Sequence, residues 1–280
     1  MPDGEHIFAR NVSRSINNVI KTMKPIVTFL SDFGTRDGYA GSVKGILKAM
    51  APDCEVIDIS HEIPAQDVAA ASWTLLNYYK SYPPGTVHLV VVDPGVGSER
   101  LPLIIRTRDY FFVGPDNGTF RFVTRAEEHA AFRIRTDHVT SDTFHGRDIF
   151  APAAAKLVLG MSVEELAEIL PDWKEPPARF FSVQGEEVAV KCIAIDHFGN
   201  IICGFHRDDL KSLGKTKVSA VRVKKHQLWG VNKFYAQKES GRLLALWNSQ
   251  DYLEIAVNSA NAAQTLSFDT ENDRVFIQVE

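Results

Sequence analysis

The sequence predicts an α/β N-terminal domain, a mostly parallel sheet flanked by helices, followed by a smaller all-β, barrel-like C-terminal domain. Three observations predict this. Between Pro25 and Asp93 short apolar runs alternate with amphipathic helical patterns, in the order strand, helix, strand, helix, strand. Such alternation indicates parallel strands with helices packed against them. Beyond Phe180 the hydrophobic period falls to two almost throughout. Between the two regimes lies Pro171-Asp-Trp-Lys-Glu-Pro176-Pro177, proline-rich and charged, the best linker in the chain. The expected division is a loose tail over 1–24, the α/β domain over 25–175 and the β domain over 176–280.

Pro25 to Leu30 is a short apolar run that reads as a buried strand, ending in the turn Ser31-Asp32-Phe33-Gly34. Val43, Ile46, Leu47 and Met50 then fall at helical spacing, and Cys54 to Ser60 is a second strand. Ala65 to Tyr82 reads as a helix with Val68, Leu75, Leu76 and Tyr79 on one face. Gly85 to Asp93 is almost continuously apolar, as a strand covered on both faces would be. Leu103–Ile105 and Tyr110–Val113 form a hairpin turning at Arg108-Asp109, which makes the sheet mixed. Ile149 to Leu159 is helical, with Pro152 tolerated near its start. Ser162-Val-Glu-Glu165 is a capping box opening a helix through Leu170. In the β domain Val188, Val190, Cys192 and Ala194 share one face, and Leu243–Trp247, Tyr252–Val257 and Val275–Val279 are further strands.

Composition narrows the function. The chain carries 31 basic and 35 acidic residues, and its only dense basic cluster is Arg222, Lys224, Lys225 and His226. That argues against nucleic acid as a partner. Three cysteines, Cys54, Cys192 and Cys203, are too few and odd in number for a disulfide framework, and they point to a reducing compartment. There is no apolar run of about 18 residues and no signal-peptide core, so the expectation is a soluble cytoplasmic protein without a membrane partner.

Ligands of open α/β sheets bind outside the carboxyl ends of the strands. Polar, glycine-containing segments stand there: Ser31–Gly34, Asp93–Arg100 and Gly114–Gly118, with Phe144–Asp148 at a helix start. Asp196–Asn200 closes a strand of the β domain. Each alone is an ordinary turn; together they describe a site. Other motifs fail. Asp32-Phe33-Gly34 lacks the rest of a kinase set, and Gly95-Val-Gly97 has Arg100 where a dinucleotide fingerprint needs its third glycine. Cys192, His197, Cys203 and His206 have zinc-like spacing, but a regular strand puts the first two on opposite faces. No metal site is expected. Serine-hydrolase and zincin motifs are missing.

What remains is Asp93, Arg100 and His145, with Asp32, Asp196 and Asn200 nearby. A carboxylate ending a buried strand needs a partner, and Arg100 can return across the Pro-Gly turn to supply a bidentate bond. A structural ion pair bracing the turn and a satisfied helix-start histidine are the alternatives that spacing leaves open.

At these residues the sequence resembles a known family. Ser31-Asp-Phe-Gly-x-x-Asp-Gly-Tyr39, Asp93-Pro-Gly-Val-Gly-Ser-x-Arg100, Gly114-Pro-Asp-Asn-Gly118, Phe144-His-Gly-Arg-Asp148 and Asp196-x-Phe-Gly-Asn200 are similar to the S-adenosyl-L-methionine hydroxide adenosyltransferases. These are adenosine-forming S-adenosylmethionine hydrolases, related to the fluorinase and chlorinase. The match runs from about Pro25 to the C-terminus. It implies hydrolysis of S-adenosyl-L-methionine to adenosine and methionine, with no cofactor and no metal. It also implies a homotrimer with each site between the N-terminal domain of one subunit and the C-terminal domain of the next. By the same resemblance Asp93, Arg100 and His145 handle the water or hydroxide. Asp32 holds the ribose hydroxyls, with Phe33 beside it. Asp196 takes the methionine ammonium and Ser249 its carboxylate. Phe198, Asn200 and the strand carrying Tyr252, Glu254 and Val257 line the nucleoside pocket.

The halide-transferring relatives have tyrosine where this chain has Asp93, and the extra fluorinase loop is lacking around Arg108; both favour water over halide. Gln66 stands where the fluorinase has tryptophan, and Gln250 and Val257 where it has arginines. Two alternatives are a chlorinase-like 5′-halogenation and a non-catalytic S-adenosylmethionine or adenosine-binding protein. The second would have no need of Asp93, Arg100 and His145 together. A metal-dependent phosphoesterase built on Asp32, Asp93 and His145 would need more ligands than the motifs supply.

Overall fold

The computed structural model describes residues 24–136, 141–175 and 180–280, so the expected tail, Lys24 apart, and Pro176-Pro177 of the expected linker lie outside the described residues. In chain order the first elements are β1 (Ile26–Ser31), α1 (Tyr39–Met50), β2 (Glu55–Ser60), α2 (Val68–Tyr78) and β3 (Val87–Val91). Next come β4 (Pro102–Arg106), β5 (Phe111–Pro115), α3 (Arg121–Ala126) and β6 (Ala130–Ile134). They are followed by α4 (Ala151–Val158), α5 (Val163–Leu166) and β7 (Ala167–Ile169). The rest is β8 (Phe181–Gln184), β9 (Glu187–Val190), β10 (Cys192–Ile195), β11 (Ile201–His206), α6 (Arg207–Ser212) and β12 (Val218–Val223). Last are β13 (His226–Trp229), β14 (Leu243–Trp247), β15 (Tyr252–Val257), α7 (Ala262–Leu266) and β16 (Val275–Val279).

The chain divides into two compact units. One holds the described residues up to Gln66, Ser81–Asp116 and Glu127–Trp173; the other holds Asp67–Lys80, Asn117–Ala126 and Lys174–Glu280. The first is built on a seven-stranded sheet in the order β2-β1-β3-β5-β4-β6-β7. Strand β1 runs parallel to β2 and β3, and β3 parallel to β5. The hairpin partner β4 is antiparallel to β5, as its sequence predicts, and β6 and β7 continue antiparallel. All five residues of β3 are buried, in line with its continuous apolar run. Val43 and Leu47 of α1 and Ala154 and Leu157 of α4 join Val27, Leu89 and Phe132 in one core. Each fully buried side chain of this size is worth about 1.5–3 kcal/mol.

The second unit carries two antiparallel sheets, β10-β11-β15-β14 and β13-β12-β16-β9-β8. They enclose one core, with Ile201, Phe205 and Ile255 from the first and Val188, Val221 and Ile277 from the second.

Three local expectations are corrected. The helix expected from Ala65 begins at Val68, because Gln66 adopts a left-handed φ of 67° and the Asp67 carboxylate caps the Ala70 N–H at 2.9 Å. It ends at Tyr78, with a 3₁₀ turn over Tyr79–Ser81. Ser162 does open α5, its N–H and hydroxyl both donating to Glu165 Oε2 at 3.0 and 2.6 Å. That helix stops at Leu166, since Ala167–Ile169 pair with Phe132–Ile134 as an edge strand. Val188 and Val190 share a buried face and half-buried Cys192 packs against the same core, but Ala194 does not continue it. The chain changes sheets at Lys191, so Ile193 is the buried residue of β10.

Candidate active site

The buried run of β3 extends to Val92, and the next residue is Asp93. A tight turn follows, with Val96 N–H donating to Asp93 O at 3.2 Å and Ser98 N–H to Gly95 O at 3.0 Å. The turn returns the chain so that Arg100 faces Asp93. Arg100 Nε donates to Asp93 Oδ1 at 2.9 Å, and Nη2 engages the other carboxylate oxygen. Nη2 also lies 2.6 Å from His145 Nδ1. A guanidinium has only donors, so Nδ1 is the acceptor and the proton of neutral His145 sits on Nε2. Burial, then the charge of Arg100, pushes the His145 pKa below its ordinary value. The Arg100 and Asp93 side chains are 8% and 6% exposed. Phe150 supports the guanidinium with its ring face, 5.3 Å from centroid to Cζ. Arg100 Nη1 is buried and has no hydrogen-bond partner among the described residues. The group is therefore fully ordered, with one donor in reserve.

His145 precedes a single π-helical turn, Gly146–Phe150, that leads into α4. Such turns occur disproportionately at functional sites. A Cβ at Gly146 would stand 3.1 Å from Val91 Cγ1 and 3.3 Å from Phe33 Cζ, a tight fit that a side chain would have to push apart, so glycine suits the close approach of this segment to the end of β3. Phe33 also packs edge-on to Phe144 at 5.8 Å and lies 5.9 Å from Tyr39, giving an aromatic wall. Asp32, at the end of β1, accepts the Gln66 N–H on Oδ2 at 2.8 Å. Asp116, at the end of β5, accepts Trp173 Nε1 at 3.2 Å, and burial raises its pKa although Arg100 is near enough to lower it. The strand-end segments of the first unit thus do converge.

In the second unit Asp196 organises its own turn. Oδ1 accepts the N–H groups of Phe198 and Asn200 at 3.0 and 2.8 Å, and Oδ2 accepts Asn200 Nδ2 at 2.9 Å. Gly199 has φ 86°, and a Cβ there would overlap the Asn261 side chain at 2.0 Å. Phe198, Asn200, Tyr235, Val257 and the segment to Asn261 line a cleft of about 600 Å³. Behind them Glu254, 3% exposed, accepts Tyr235 Oη–H at 2.7 Å. Burial raises the Glu254 pKa, and the Asp196 charge raises it further. Two residues named from the sequence stand elsewhere. Ser249 is exposed in the turn before β15, at the end opposite Val257. Tyr252 is buried with its ring 5.0–5.3 Å from those of His206, Phe122 and Trp73.

Among the described residues no group of three or more His, Cys, Asp and Glu side chains could hold a metal ion. Sequence reading missed Tyr235, which lies in an aperiodic polar stretch, and Phe150, which falls inside the helix expected over Ile149 to Leu159. It also missed the Gln66 N–H, because a backbone donor carries no residue signal.

A mixed α/β unit with an ordered carboxylate–guanidinium–imidazole set at its strand ends, joined in sequence to an antiparallel unit with an acid-backed cleft, defines a two-part enzyme acting on a small molecule. Residues 27–167 match the SAM hydroxide adenosyltransferase N-terminal domain and residues 190–275 its C-terminal domain, and the chain belongs to that family. It is 35% identical to an (R)-S-adenosyl-L-methionine hydrolase of Methanocaldococcus jannaschii, over 87% of this chain and 92% of that one. A protein of the same name from Thermus thermophilus is 34% identical, over 87% and 96%. A fluorinase of Actinopolyspora mzabensis is more distant at 26%, over 86% and 93%. Among solved structures, an uncharacterized conserved protein from Thermotoga maritima superposes with a TM-score of 0.77 and 35% identity, covering 90% of this chain and 99% of the other.

Proposed function

We propose that this protein hydrolyses S-adenosyl-L-methionine to adenosine and L-methionine, by in-line attack of water or hydroxide on the ribose 5′ carbon. The observation that carries this reading is the joint presence of Asp93, Arg100 and His145 in one hydrogen-bonded set with a buried, free guanidinium donor. A binding protein needs no such set. The relatives named as hydrolases are also nearer in sequence than those named as fluorinases.

The chemistry suits these groups. Methionine leaves a sulfonium as a neutral thioether, so no acid is required to protonate it. The difficulty is the nucleophile, which must be held behind the 5′ carbon at near-attack distance and stripped of a proton. Asp93 accepts a hydrogen bond from the water, while Arg100 and the Nε2–H of His145 orient it and favour hydroxide character. Arg100 repels a sulfonium and so belongs on the nucleophile's side. Asp32 holds the ribose hydroxyls, beside Phe33. Asp196 takes the ammonium group, and the acid-backed cleft of Phe198, Asn200, Glu254 and Val257 takes the cationic nucleoside. Ser249 as carboxylate partner and Tyr252 as pocket wall are the assignments the observed placement supports least.

The same reading includes a homotrimer in which the N-terminal residues of one subunit are completed by the C-terminal residues of the next, and residence in the cytoplasm. Three free cysteines support a reducing compartment. No helix among the described residues is long and apolar enough to cross a membrane. The relatives' names specify the (R) form, which chemically designates the sulfonium centre, so we assign that epimer as substrate. Incubation with S-adenosyl-L-methionine in heavy-oxygen water tests the reaction. Adenosine labelled at O5′ plus methionine is expected. Unlabelled products, or 5′-chloroadenosine in the presence of chloride, would overturn it.

A further inference from the structure

The proposed chemistry leaves one buried polar network unused. Ser31 Oγ and His61 Nδ1 lie 2.8 Å apart, both groups buried. The backbone carbonyl of His61 accepts the Gly34 N–H at 2.7 Å. Further along the same segment, the Gln66 N–H donates to Asp32 Oδ2 at 2.8 Å. The stretch from His61 to Gln66 therefore grips the turn Ser31–Gly34 on both sides of Asp32 and on Asp32 itself. The imidazole is in turn fixed. Its ring lies edge-on to Phe29 at 4.6 Å, and Nε2 stands 3.2 Å from Asp58 Oδ1, close enough for an ion pair but not aligned for a hydrogen bond. Lys44 holds the other oxygen of Asp58 at 2.8 Å. Serine, histidine and aspartate in a row suggest a nucleophile, but Ser31 is fully buried. It cannot meet a substrate.

We propose that His61 is a positioning residue for Asp32 and, through it, for the ribose; this rests on reading Asp32 as the acceptor of the ribose hydroxyls. One oxygen of a carboxylate already engaged by a backbone N–H leaves the carboxylate plane fixed and the other oxygen committed to the ligand. The donor, Gln66, holds a left-handed φ of 67°, a conformation unfavourable for a residue with a side chain. That strain persists because the far end of the segment is tied down, and His61 is the tie. Without the imidazole, Ser31 Oγ loses its buried partner, the segment relaxes, and the Gln66 N–H leaves Asp32.

The test compares S-adenosyl-L-methionine with its 2′-deoxy analogue in the full-length enzyme and in His61→Ala, His61→Asn, Ser31→Ala and Asp32→Ala. His61→Ala is expected to raise KM about tenfold, the worth of roughly one net hydrogen bond, with kcat within about threefold. It should also shrink the preference for the 2′-hydroxyl towards that of Asp32→Ala. Asparagine can place a polar group near the Nδ1 position, so His61→Asn should recover most of the KM. Should His61→Ala not fold, Ser31→Ala breaks the same bond from the other side and should give the same KM rise. A loss of kcat or thermal stability, with KM and the 2′-preference unmoved, would show a structural brace only and overturn the proposal. The ribose assignment fails separately if Asp32→Ala leaves the 2′-preference of the wild type intact.

Discussion

Asp93 shows what a single residue can and cannot do at the end of a buried strand. Its carboxylate is 6% exposed, and both oxygens face Arg100. Replacing Asp93 by alanine removes the proposed acceptor of the water and releases Arg100, yet touches no proposed contact to the nucleoside. Turnover should fall by about 10³-fold or more, while calorimetric titration shows S-adenosyl-L-methionine still binding. Full activity in Asp93→Ala would end the triad reading. The proposed role of His145 makes a prediction about pH dependence. Its pKa lies below the ordinary histidine value, so the ring is neutral at pH 7 and protonates only as the pH falls through that lowered value. Protonation turns Nδ1 from an acceptor into a donor facing Arg100 Nη2, and activity is lost on the acid side. The pH profile of kcat should thus hold from neutrality down to below about 6.5 and then drop. A plateau that breaks above neutrality in a His145-dependent manner would contradict this. At this scale the sequence was highly legible, because Asp93, Arg100 and His145 stand in distinctive motifs. Gln66 was not, since what it contributes is a backbone N–H in a left-handed conformation.

Elements carry a second kind of consequence. His88 sits in the middle of β3, fully buried, 2.8 Å from Thr28 Oγ1 and stacked on Phe112 at 5.0 Å. Burial lowers its pKa to about 3. The unfolded chain binds a proton near pH 6.5 and the folded chain does not, so stability is lost as the pH falls from about 6.5 towards 3. Between pH 8 and pH 5 this one residue should cost about 2 kcal/mol. Urea denaturation at the two pH values measures it, and His88→Gln should flatten the slope by that amount. An unchanged slope would refute the assignment. The elements themselves were read from periodicity with good success in β1, β3, α1 and the β4–β5 hairpin, where burial is one-sided or complete. Periodicity failed where tertiary pairing decided. Ala167–Ile169 could extend a helix, but β6 offered an edge. Ala194 continued the period of Val188, Val190 and Cys192, but the chain crossed between sheets at Lys191 and Ala194 fell outside their shared core.

For the whole molecule, the proposed trimer makes a direct prediction. Light scattering with size-exclusion chromatography should give three times the chain mass, and activity should fall on dilution below the dissociation range of the assembly. A fully active monomer would remove the idea that neighbouring subunits complete the site. The net charge of −4 is consistent with a small cationic ligand but selects nothing by itself.

By itself the sequence determined the alternation of strand and helix before Asp93, the period-two region after Phe180, and the motifs that carry the reactive side chains. These are local properties, written in spacing and residue type. Only the tertiary structure decided that Arg100, besides the Asp93 bond its spacing foretold, also reaches His145, that Tyr235 closes on Glu254, and that His61 and Gln66 hold the turn around Asp32. Those contacts join residues 45, 19, 30 and 34 positions apart. No local pattern encodes such distances. Those of the first unit arise because burying the apolar faces of β1 and β3 side by side leaves the polar strand ends nowhere to go but together.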